Sequence, residues 1–170
     1  MDINISSVLK KEGSNLNIDF NGNVDGLGCR IDSYVLEEPI TFKGALQNNK
    51  GTLELTGLIS LEYDSPCYRC LNNIHSSMEI PVREDILSAV EVTAAEVADK
   101  DDVFTYDGDY LNLDRILLDY IVLNMPMKMI CKDDCKGLCP ECGSNLNDTK
   151  CVCKGEEDIN PKMDILKKLF

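Results

Sequence analysis

Residues 131–153 read CKDDCKGLCPECGSNLNDTKCVC, and six of the nine cysteines in the chain lie within this stretch. Two more lie upstream, in the segment SPCYRCL at positions 65–71. These eight cysteines form short pairs: Cys67 with Cys70, Cys131 with Cys135, Cys139 with Cys142, and Cys151 with Cys153. A Zn²⁺ ion with four thiolate ligands is held by two such pairs, one on each side of the ion. The spacing therefore predicts one or two structural zinc ions.

The four pairs can combine into two groups. The last two pairs are close enough in the sequence to surround one ion, and Gly143 suits the turn that follows Cys142. The first two pairs then remain for a second ion, which would join distant parts of the chain. Group 1 is thus predicted to be Cys67, Cys70, Cys131 and Cys135, and group 2 to be Cys139, Cys142, Cys151 and Cys153. The spacing leaves open an exchange in which Cys151 or Cys153 replaces Cys135.

Zinc is favoured over an iron–sulfur centre, although four thiolates suit either one. The residues around the third pair are typical of a zinc knuckle, and no site for an electron-transfer partner is evident. The ninth cysteine, Cys29, lies in a Gly-rich loop and is interpreted as a free or half-buried thiol outside both groups. The single histidine, His75, follows the first pair, but Ile80 stands where a zinc knuckle would need a cysteine. We therefore expect His75 on the surface of a strand.

The composition indicates a cytoplasmic protein. No apolar run reaches the roughly 20 residues that span a bilayer. The opening residues, MDINISSVLKKEG, lack the basic region and apolar stretch of a secretory signal. Thiols stay reduced in the cytosol, so paired cysteines are expected there to bind metal rather than to form disulfides.

The net charge of −13 is unevenly distributed. Residues 1–124 contain 9 basic and 22 acidic residues, whereas residues 125–170 contain 8 of each. Non-specific binding to nucleic acid depends on basic side chains that displace counterions. The acidic surface therefore disfavours such binding over most of the chain. It favours docking on a basic protein, although it also serves solubility alone.

Alternating apolar residues predict β structure in the first two thirds of the chain. The longest pattern runs from Leu53 to Tyr63, and the turn signal NNKG precedes it, so residues 39–63 are predicted to form a hairpin. Other strands are expected through Ile3 and Ile5, over 16–20, over 74–80, from 82 toward 90, and over 103–106. Residues 91–102 are expected to form an acidic linker or a short surface helix.

After Asn112 the spacing of apolar residues changes to that of a helix. Asn112 can cap this helix, and Pro126 is expected to end it near Asn124. A last helix is expected over 161–170. The predicted fold class is α+β, with a mainly antiparallel β body that forms a meander or a partly closed barrel. One helix precedes and one follows a C-terminal zinc-knuckle module. The predicted domains are an acidic β-rich body over 1–124 and a cysteine-rich zinc module over 125–170.

The sequence favours a protein that is not an enzyme. Its one histidine has no patterned partner for acid–base catalysis. It contains no phosphate-binding loop, dinucleotide-binding fingerprint or nucleophile elbow. A zinc ion held by four thiolates also lacks the open position of a catalytic zinc. We therefore predict no catalytic residues, no small-molecule substrate and no membrane partner.

Three stretches resemble the YceD family of bacterial proteins. TFKGALQNNKGTLELTGLI at 41–59 leads into CYRCL, MPMK follows the predicted helix, and CKGLCPECGSNLN at 135–147 precedes CVC. In the family these stretches correspond to a hairpin that ends in Cys-x-Arg-Cys-Leu, an apolar helix that ends in Leu-Pro, and the cysteine cluster of Gram-positive members. The similarity covers nearly the whole chain. The segment NPKMDIL at 160–166 departs from it, because relatives often have Asp-Pro-Arg there.

This resemblance implies a role in the accumulation of large-subunit ribosomal RNA and so in ribosome biogenesis, with no established catalytic activity. The implied partner is a ribosomal protein or a pre-ribosomal particle. Direct RNA contact is also possible, and its candidate residues are the lysines of the cysteine-rich segment: Lys128, Lys132, Lys136, Lys150 and Lys154. The alternatives are a cytosolic thiol-redox or metal-handling protein, or a protein–protein adaptor unrelated to ribosomes.

Overall fold

The computed structural model describes residues 1–23, 30–31, 34–90 and 103–153. Its strands are β1 (Asp2–Asn4), β2 (Asn15–Gly22), β3 (Arg30–Ile31), β4 (Tyr34–Asn49), β5 (Thr52–Pro66), β6 (Asn73–Ser88), β7 (Thr105–Tyr106) and β8 (Tyr110–Asn112). Its helices are α1 (Ser6–Leu9) and α2 (Leu113–Asn124). The described residues thus form a mainly antiparallel β body with two helices.

One large sheet forms the body, with the strand order β2-β4-β5-β6-β7, and β3 also pairs with β4. β2, β4, β5 and β6 are antiparallel neighbours, whereas β7 joins β6 in parallel. β1 and β8 form a separate two-stranded sheet. Of the two forms expected, the meander is correct, because the described strands do not close into a barrel.

The hairpin of β4 and β5 follows from the alternation of apolar residues. In β5 the odd-numbered apolar residues from Leu53 to Tyr63 are all buried on one face of the sheet. The chain reverses at Lys50 and Gly51, whose φ angles are 57° and 100°. Gly51 adopts this left-handed conformation at little cost because it has no Cβ. The hairpin predicted over 39–63 is confirmed.

Two predictions of strands are correct in part and wrong in their bounds. The strand predicted through Ile3 and Ile5 ends at Asn4, and Ile5 instead precedes the single turn of α1 and is buried in the core. The two strands predicted on either side of Pro81 are the single strand β6. Proline is tolerated inside β6 because this part of the strand is an edge, where no ladder hydrogen bond is lost. Within the described sheet, β7 pairs only with Leu87 and Ser88 of β6.

α2 covers the inner face of the large sheet, the face that carries the buried residues. Its buried apolar residues belong to the same core as those of β4, β5 and β6, and they are Leu113, Ile116, Leu117 and Ile121. The side chain of Asn112 accepts a hydrogen bond from the backbone N–H of Arg115, as a helix cap does. The helix ends at Asn124, before Pro126, as predicted.

The outer face of the large sheet is acidic. The strand residues that alternate with the buried ones point outward, and many of them carry carboxylates. These residues are Asp19, Glu37, Glu54, Glu62, Asp64, Glu79 and Asp85. On the described parts of β2, β4, β5 and β6, the outward basic residues are Lys43 and Arg83. We call this surface the acidic face.

Several predictions concern residues outside the described ranges. They are the loop that contains Cys29, the linker over 91–102 and the helix over 161–170. The domain boundary between 1–124 and 125–170 stays a prediction. Group 1 would take two of its cysteines from each side of that boundary.

Candidate metal centre

Group 1 is assembled from two distant parts of the chain. Cys67 and Cys70 lie in the turn between β5 and β6, and Cys131 and Cys135 lie in the segment after α2. The Sγ atoms of Cys67 and Cys135 are 3.9 Å apart, and those of Cys70 and Cys131 are 3.6 Å apart. Sulfur ligands at about 2.3 Å from a tetrahedral zinc ion are roughly 3.8 Å from one another. The four Sγ atoms of group 1, all within 4.8 Å of one another, have the spacing of a four-thiolate site.

The backbone forms the same turn after the first pair of each group. The N–H of Leu71 donates to the Cys67 carbonyl at 2.9 Å, and the N–H of Gly143 donates to the Cys139 carbonyl at 2.9 Å. Leu71 and Gly143 have φ angles of 60° and 71°. This left-handed conformation reverses the chain directly after the second cysteine. The sulfur atoms of each pair can therefore face a common point, as in a zinc knuckle.

Group 2 closes within one short segment. The Sγ of Cys151 lies 3.5 Å from that of Cys142 and 3.4 Å from that of Cys139. With Cys153, the four Sγ atoms again lie within 4.8 Å of one another. Cys142 and Cys153 are exposed to solvent. Group 2 is therefore more accessible than group 1, whose only exposed cysteine is Cys131.

The cysteines within one group have opposite pKa shifts. Burial raises the pKa of Cys67, but backbone hydrogen bonds, first among them one from Cys70, outweigh it and lower the pKa to about 6. Partial desolvation of its sulfur by the surrounding groups, together with hydrogen bonds to neighbouring sulfurs, raises the pKa of Cys131 to about 12, although the residue as a whole is exposed. In group 2, hydrogen bonds from Ser144 lower the pKa of Cys142 to about 6. Adjacent thiols thus compete for protons, and a divalent cation would remove this competition because it replaces the protons.

The structure brings the eight paired cysteines together in the two sets that the spacing predicted. The exchange in which Cys151 or Cys153 replaces Cys135 is not seen, because Cys135 packs with Cys67 and Cys70 in one buried cluster. The donor set is all sulfur, which suits zinc.

The described lysines of the cysteine-rich segment are exposed, and they are Lys128, Lys132, Lys136 and Lys150. The Nζ of Lys128 lies 4.5 Å from the centre of the exposed Tyr68 ring. The Nζ of Lys132 lies 4.0 Å from a carboxylate oxygen of Asp134. Lys154 lies outside the described residues. RNA contact through these lysines stays a prediction.

Two residues contact group 1 in a way that the sequence did not predict. The guanidinium of Arg69 donates to the carbonyls of Asp133 and Cys135, at 3.2 Å and 3.0 Å. The side-chain N–H of Asn147 donates to the Sγ of Cys135 at 3.4 Å. Both residues lie in the stretches CYRCL and CKGLCPECGSNLN that carry the family resemblance. Their partners are set by contacts between distant segments, which the sequence does not display.

His75 is exposed on β6, where a strand surface residue was expected. Its Nδ1 atom lies 3.2 Å from Oδ1 of Asp64 and 3.4 Å from Oε1 of Glu37. These three residues could hold a metal ion. A hydrogen bond between the imidazole and these neighbouring carboxylates accounts for the same distances, so we assign no site to them.

The sequence matches the protein family described as "Large ribosomal RNA subunit accumulation protein YceD" over residues 55–170. The chain belongs to the YceD family. The matched YceD region includes most of β5, all of β6 and α2, and every cysteine of both groups. The resemblance found in the sequence is thereby confirmed. The YceD family is named for the accumulation of an RNA and not for a catalysed reaction.

Relatives of this YceD-family chain occur in bacteria and in plants. An uncharacterized protein of Mycobacterium leprae (strain TN) is 26% identical over 110 residues, which cover 64% of this chain and 49% of the relative. A chloroplastic "Large ribosomal RNA subunit accumulation protein YCED homolog 1" of Zea mays is 24% identical over 175 residues, which cover 86% of this chain and 58% of the relative. The Arabidopsis thaliana protein of the same name is 38% identical over 47 residues, which cover 28% of this chain and 15% of the relative.

The YceD-family chain spans about half the length of the mycobacterial relatives that it matches. No solved structure is significantly similar to it. Neither of its described helices is long and apolar enough to cross a membrane.

Proposed function

We propose that this YceD-family protein is a non-enzymatic cytoplasmic factor that supports the accumulation of large-subunit ribosomal RNA and so ribosome biogenesis. The family match over residues 55–170 carries this proposal. The Zea mays and Arabidopsis thaliana relatives, which are named for the same role, support it. The chain acts by binding a ribosomal protein or a pre-ribosomal particle rather than by catalysing a reaction on a small molecule.

Structural zinc gives the cysteine-rich segment its shape. Group 1 (Cys67, Cys70, Cys131 and Cys135) holds one ion and group 2 (Cys139, Cys142, Cys151 and Cys153) holds another. The sulfur–sulfur distances of 3.4–3.9 Å support this proposal, because they suit tetrahedral ligation. In the described part of the chain after Pro126, Met127, Ile130 and Val152 are exposed and Met129, Leu138 and Leu146 are only half-buried, so no leucine, isoleucine, valine or methionine there is fully buried. Metal binding therefore supplies the folding free energy that a hydrophobic core would otherwise supply.

The acidic face is the surface that we assign to a basic partner protein. Glu37, Glu62 and Glu79 lie together with Glu38 along a groove that crosses β4, β5 and β6. A surface of one charge attracts partners of the opposite charge and raises the rate of association. Ribosomal proteins, as a class that binds RNA, present the basic surfaces that this face would attract.

Direct RNA contact is the less favoured mode. In the described part of the cysteine-rich segment, the lysines are accompanied by as many acidic residues: Asp133, Asp134, Glu141 and Asp148. Each zinc ion with four thiolates would add a charge of about −2. The segment therefore lacks the excess positive charge that binding to phosphates requires.

The role is tested by deletion of the encoding gene in its own organism. We expect the amount of large-subunit ribosomal RNA to fall relative to small-subunit ribosomal RNA, and the wild-type gene to restore it. Glu37→Lys with Glu62→Lys should fail to restore the ratio, because the pair reverses charge at the centre of the acidic face. A matched control is Glu12→Lys with Asp107→Lys, which makes the same charge change at exposed positions elsewhere. An unchanged ratio in the deletion strain would refute the proposed role.

The partner is tested by capture of the tagged protein from native lysate. We expect precursors of the large subunit to co-purify with the wild type and with the control pair, but not with the acidic-face pair. Separately, RNA binding should be measured against salt concentration. A steep loss of affinity with added salt would support direct phosphate contact through the lysines and contradict the protein-partner mode.

A thiol-redox protein is the second candidate, and one observation favours it. Cys142 is exposed, and hydrogen bonds from Ser144 lower its pKa to about 6, so in the absence of metal its thiolate would be reactive. The reaction of thiols with a disulfide reagent separates the two candidates. Structural sites should react slowly until a chelator removes the metal. Rapid reaction of the metal-loaded protein would favour the redox function.

A further inference from the structure

The loop between Cys142 and Cys151 belongs to group 2 in sequence but contacts group 1 in space. Asn147, near the middle of this loop, donates from its side-chain N–H to the Sγ of Cys135 at 3.4 Å. Cys135 is buried and belongs to group 1. A residue of one cysteine group therefore touches a candidate ligand of the other.

The side chain of Asn147 is held in place by further hydrogen bonds. Its amide nitrogen also donates to Oδ1 of Asn145 at 2.8 Å, and its Oδ1 atom accepts from the backbone N–H of Lys136 at 3.0 Å. The amide orientation follows from this pattern, since the nitrogen faces two acceptors and the oxygen faces a donor. Asn147 thus presents an N–H, and not its oxygen, to the Cys135 sulfur.

Other hydrogen bonds fasten the same loop to the parts of the chain that carry group 1. The N–H of Leu146 donates to the Gly137 carbonyl at 2.9 Å. The side-chain N–H of Asn145 donates to Oδ1 of Asn72 at 3.3 Å, beside the turn that holds Cys70. Just before Cys139, and outside the loop itself, the N–H of Leu138 donates to the Arg69 carbonyl at 3.1 Å and joins the segment leading into group 2 to the group 1 turn. The loop and the group 1 turn therefore form one hydrogen-bonded unit.

This contact has a thermodynamic consequence. An N–H that donates to a ligating sulfur stabilises the thiolate and orients it, and loss of such an outer contact typically weakens metal affinity about 10–100-fold. The loop that carries Asn147 joins the two halves of group 2. The Sγ atoms at its two ends, Cys142 and Cys151, lie 3.5 Å apart, and an ion in group 2 would hold them there. Such an ion would therefore add to the order of the loop that carries the donor of group 1.

We propose that Asn147 couples the two cysteine groups, so that metal in group 2 raises the metal affinity of group 1. This proposal rests on the proposed metal binding of both groups. Asn147 is a positioning residue, because it acts through Cys135 and is not itself a ligand. Linkage between binding equilibria is reciprocal, so metal in group 1 raises the affinity of group 2 by the same factor.

Cadmium NMR of the full-length chain tests the coupling, with cadmium as the probe in place of zinc. The wild type should give two resonances, one for each group. A variant with Cys142→Ser and Cys151→Ser disables group 2 and identifies the resonance of group 1. Competition with a chelator of known affinity then gives the dissociation constant of group 1 in each variant.

Asn147→Leu removes the N–H donor at nearly constant side-chain size. We expect this variant to weaken cadmium binding in group 1 about 10-fold and to shift the group 1 resonance. Loss of group 2 should weaken cadmium binding in group 1 by a similar factor. The two changes together should weaken it no more than either change alone, since they remove the same contact. Thr149→Val is the matched control. It removes a hydrogen bond to the Asn145 carbonyl in the same loop without touching Cys135.

The outcomes distinguish a failure of the proposed coupling from a failure of the proposed metal binding. If the wild type binds no cadmium or zinc, the proposed metal sites fail. If both groups bind metal but Asn147→Leu and the loss of group 2 leave the affinity of group 1 unchanged, only the coupling fails. If circular dichroism shows that Asn147→Leu is misfolded, Asn147→Ala takes its place, because it also lacks the N–H donor. Additive effects in the combined variant would also overturn the proposal.

Discussion

Disabling group 1 should destabilise the protein more than disabling group 2, because metal in the two groups closes loops of different length. The perturbation for group 1 is Cys131→Ser with Cys135→Ser, which removes both ligands that follow α2. An ion in group 1 links Cys70 to Cys131 across 61 residues. In the chain-entropy treatment of cross-links, closing a loop of this length stabilises the fold by roughly 4 kcal/mol.

The comparison within the same protein is Cys142→Ser with Cys151→Ser. These two cysteines of group 2 are 9 residues apart. Loop-closure entropy grows as three halves of RT times the logarithm of loop length, so the two loops differ by about 1.7 kcal/mol. We therefore expect the group 1 variant to be the less stable of the two by about this amount.

Urea unfolding followed by circular dichroism measures these differences with metal bound. Excess chelator should lower the stability of the wild type to near that of the variants, because the cross-links are then absent from all of them. Cys29→Ser, outside both groups, serves as the control and should behave as the wild type. Equal stability of the two double variants would refute the loop-length argument. A wild-type midpoint that does not respond to chelator would refute the cross-link itself.

Three further predictions concern the body. Gly57→Ala should lower the free energy of unfolding in urea by about 1–3 kcal/mol, since a Cβ there would lie 2.6 Å from the Phe42 ring and 2.7 Å from a backbone oxygen; Gly22→Ala, with ordinary contacts at 3.5 Å, should change it little. Burial raises the pKa of Tyr120 above 10. Its contribution to stability should therefore be present below pH 10 and be lost as the pH rises through the raised value. Tyr120→Phe should flatten this part of the plot of thermal stability against pH. Asn112→Ala should cost about 1 kcal/mol in thermal unfolding through loss of the helix cap, and a cost near zero would show that the cap is not stabilising.

The parts of the fold that were predicted correctly depend on residues close together in the chain. The β4–β5 hairpin follows from period-2 alternation and one turn, and α2 follows from its cap and the proline after it. The errors arise where distant contacts override the local pattern. Pro81 stays inside β6 because that part of the strand is an edge, and Ile5 leaves β1 because it packs into the core.

The candidate site shows the same division. Pair spacing was enough to single out eight cysteines and to favour one grouping of them. It did not reveal that Arg69 bonds to two carbonyls beside group 1, or that Asn147 reaches Cys135. The acidic composition was plain from the sequence. Its concentration on one face depends on strand alternation and register across four strands.

The sequence by itself determined which atoms can bind metal and which segments can become strands or helices, because thiol spacing, side-chain alternation and capping act over a few residues. Only the tertiary structure decided which pairs of cysteines meet and which side chains lie beside them. Those contacts join segments that are separated by many residues, such as Cys70 and Cys131. They form only when the sheet and α2 have packed and brought these segments to one place.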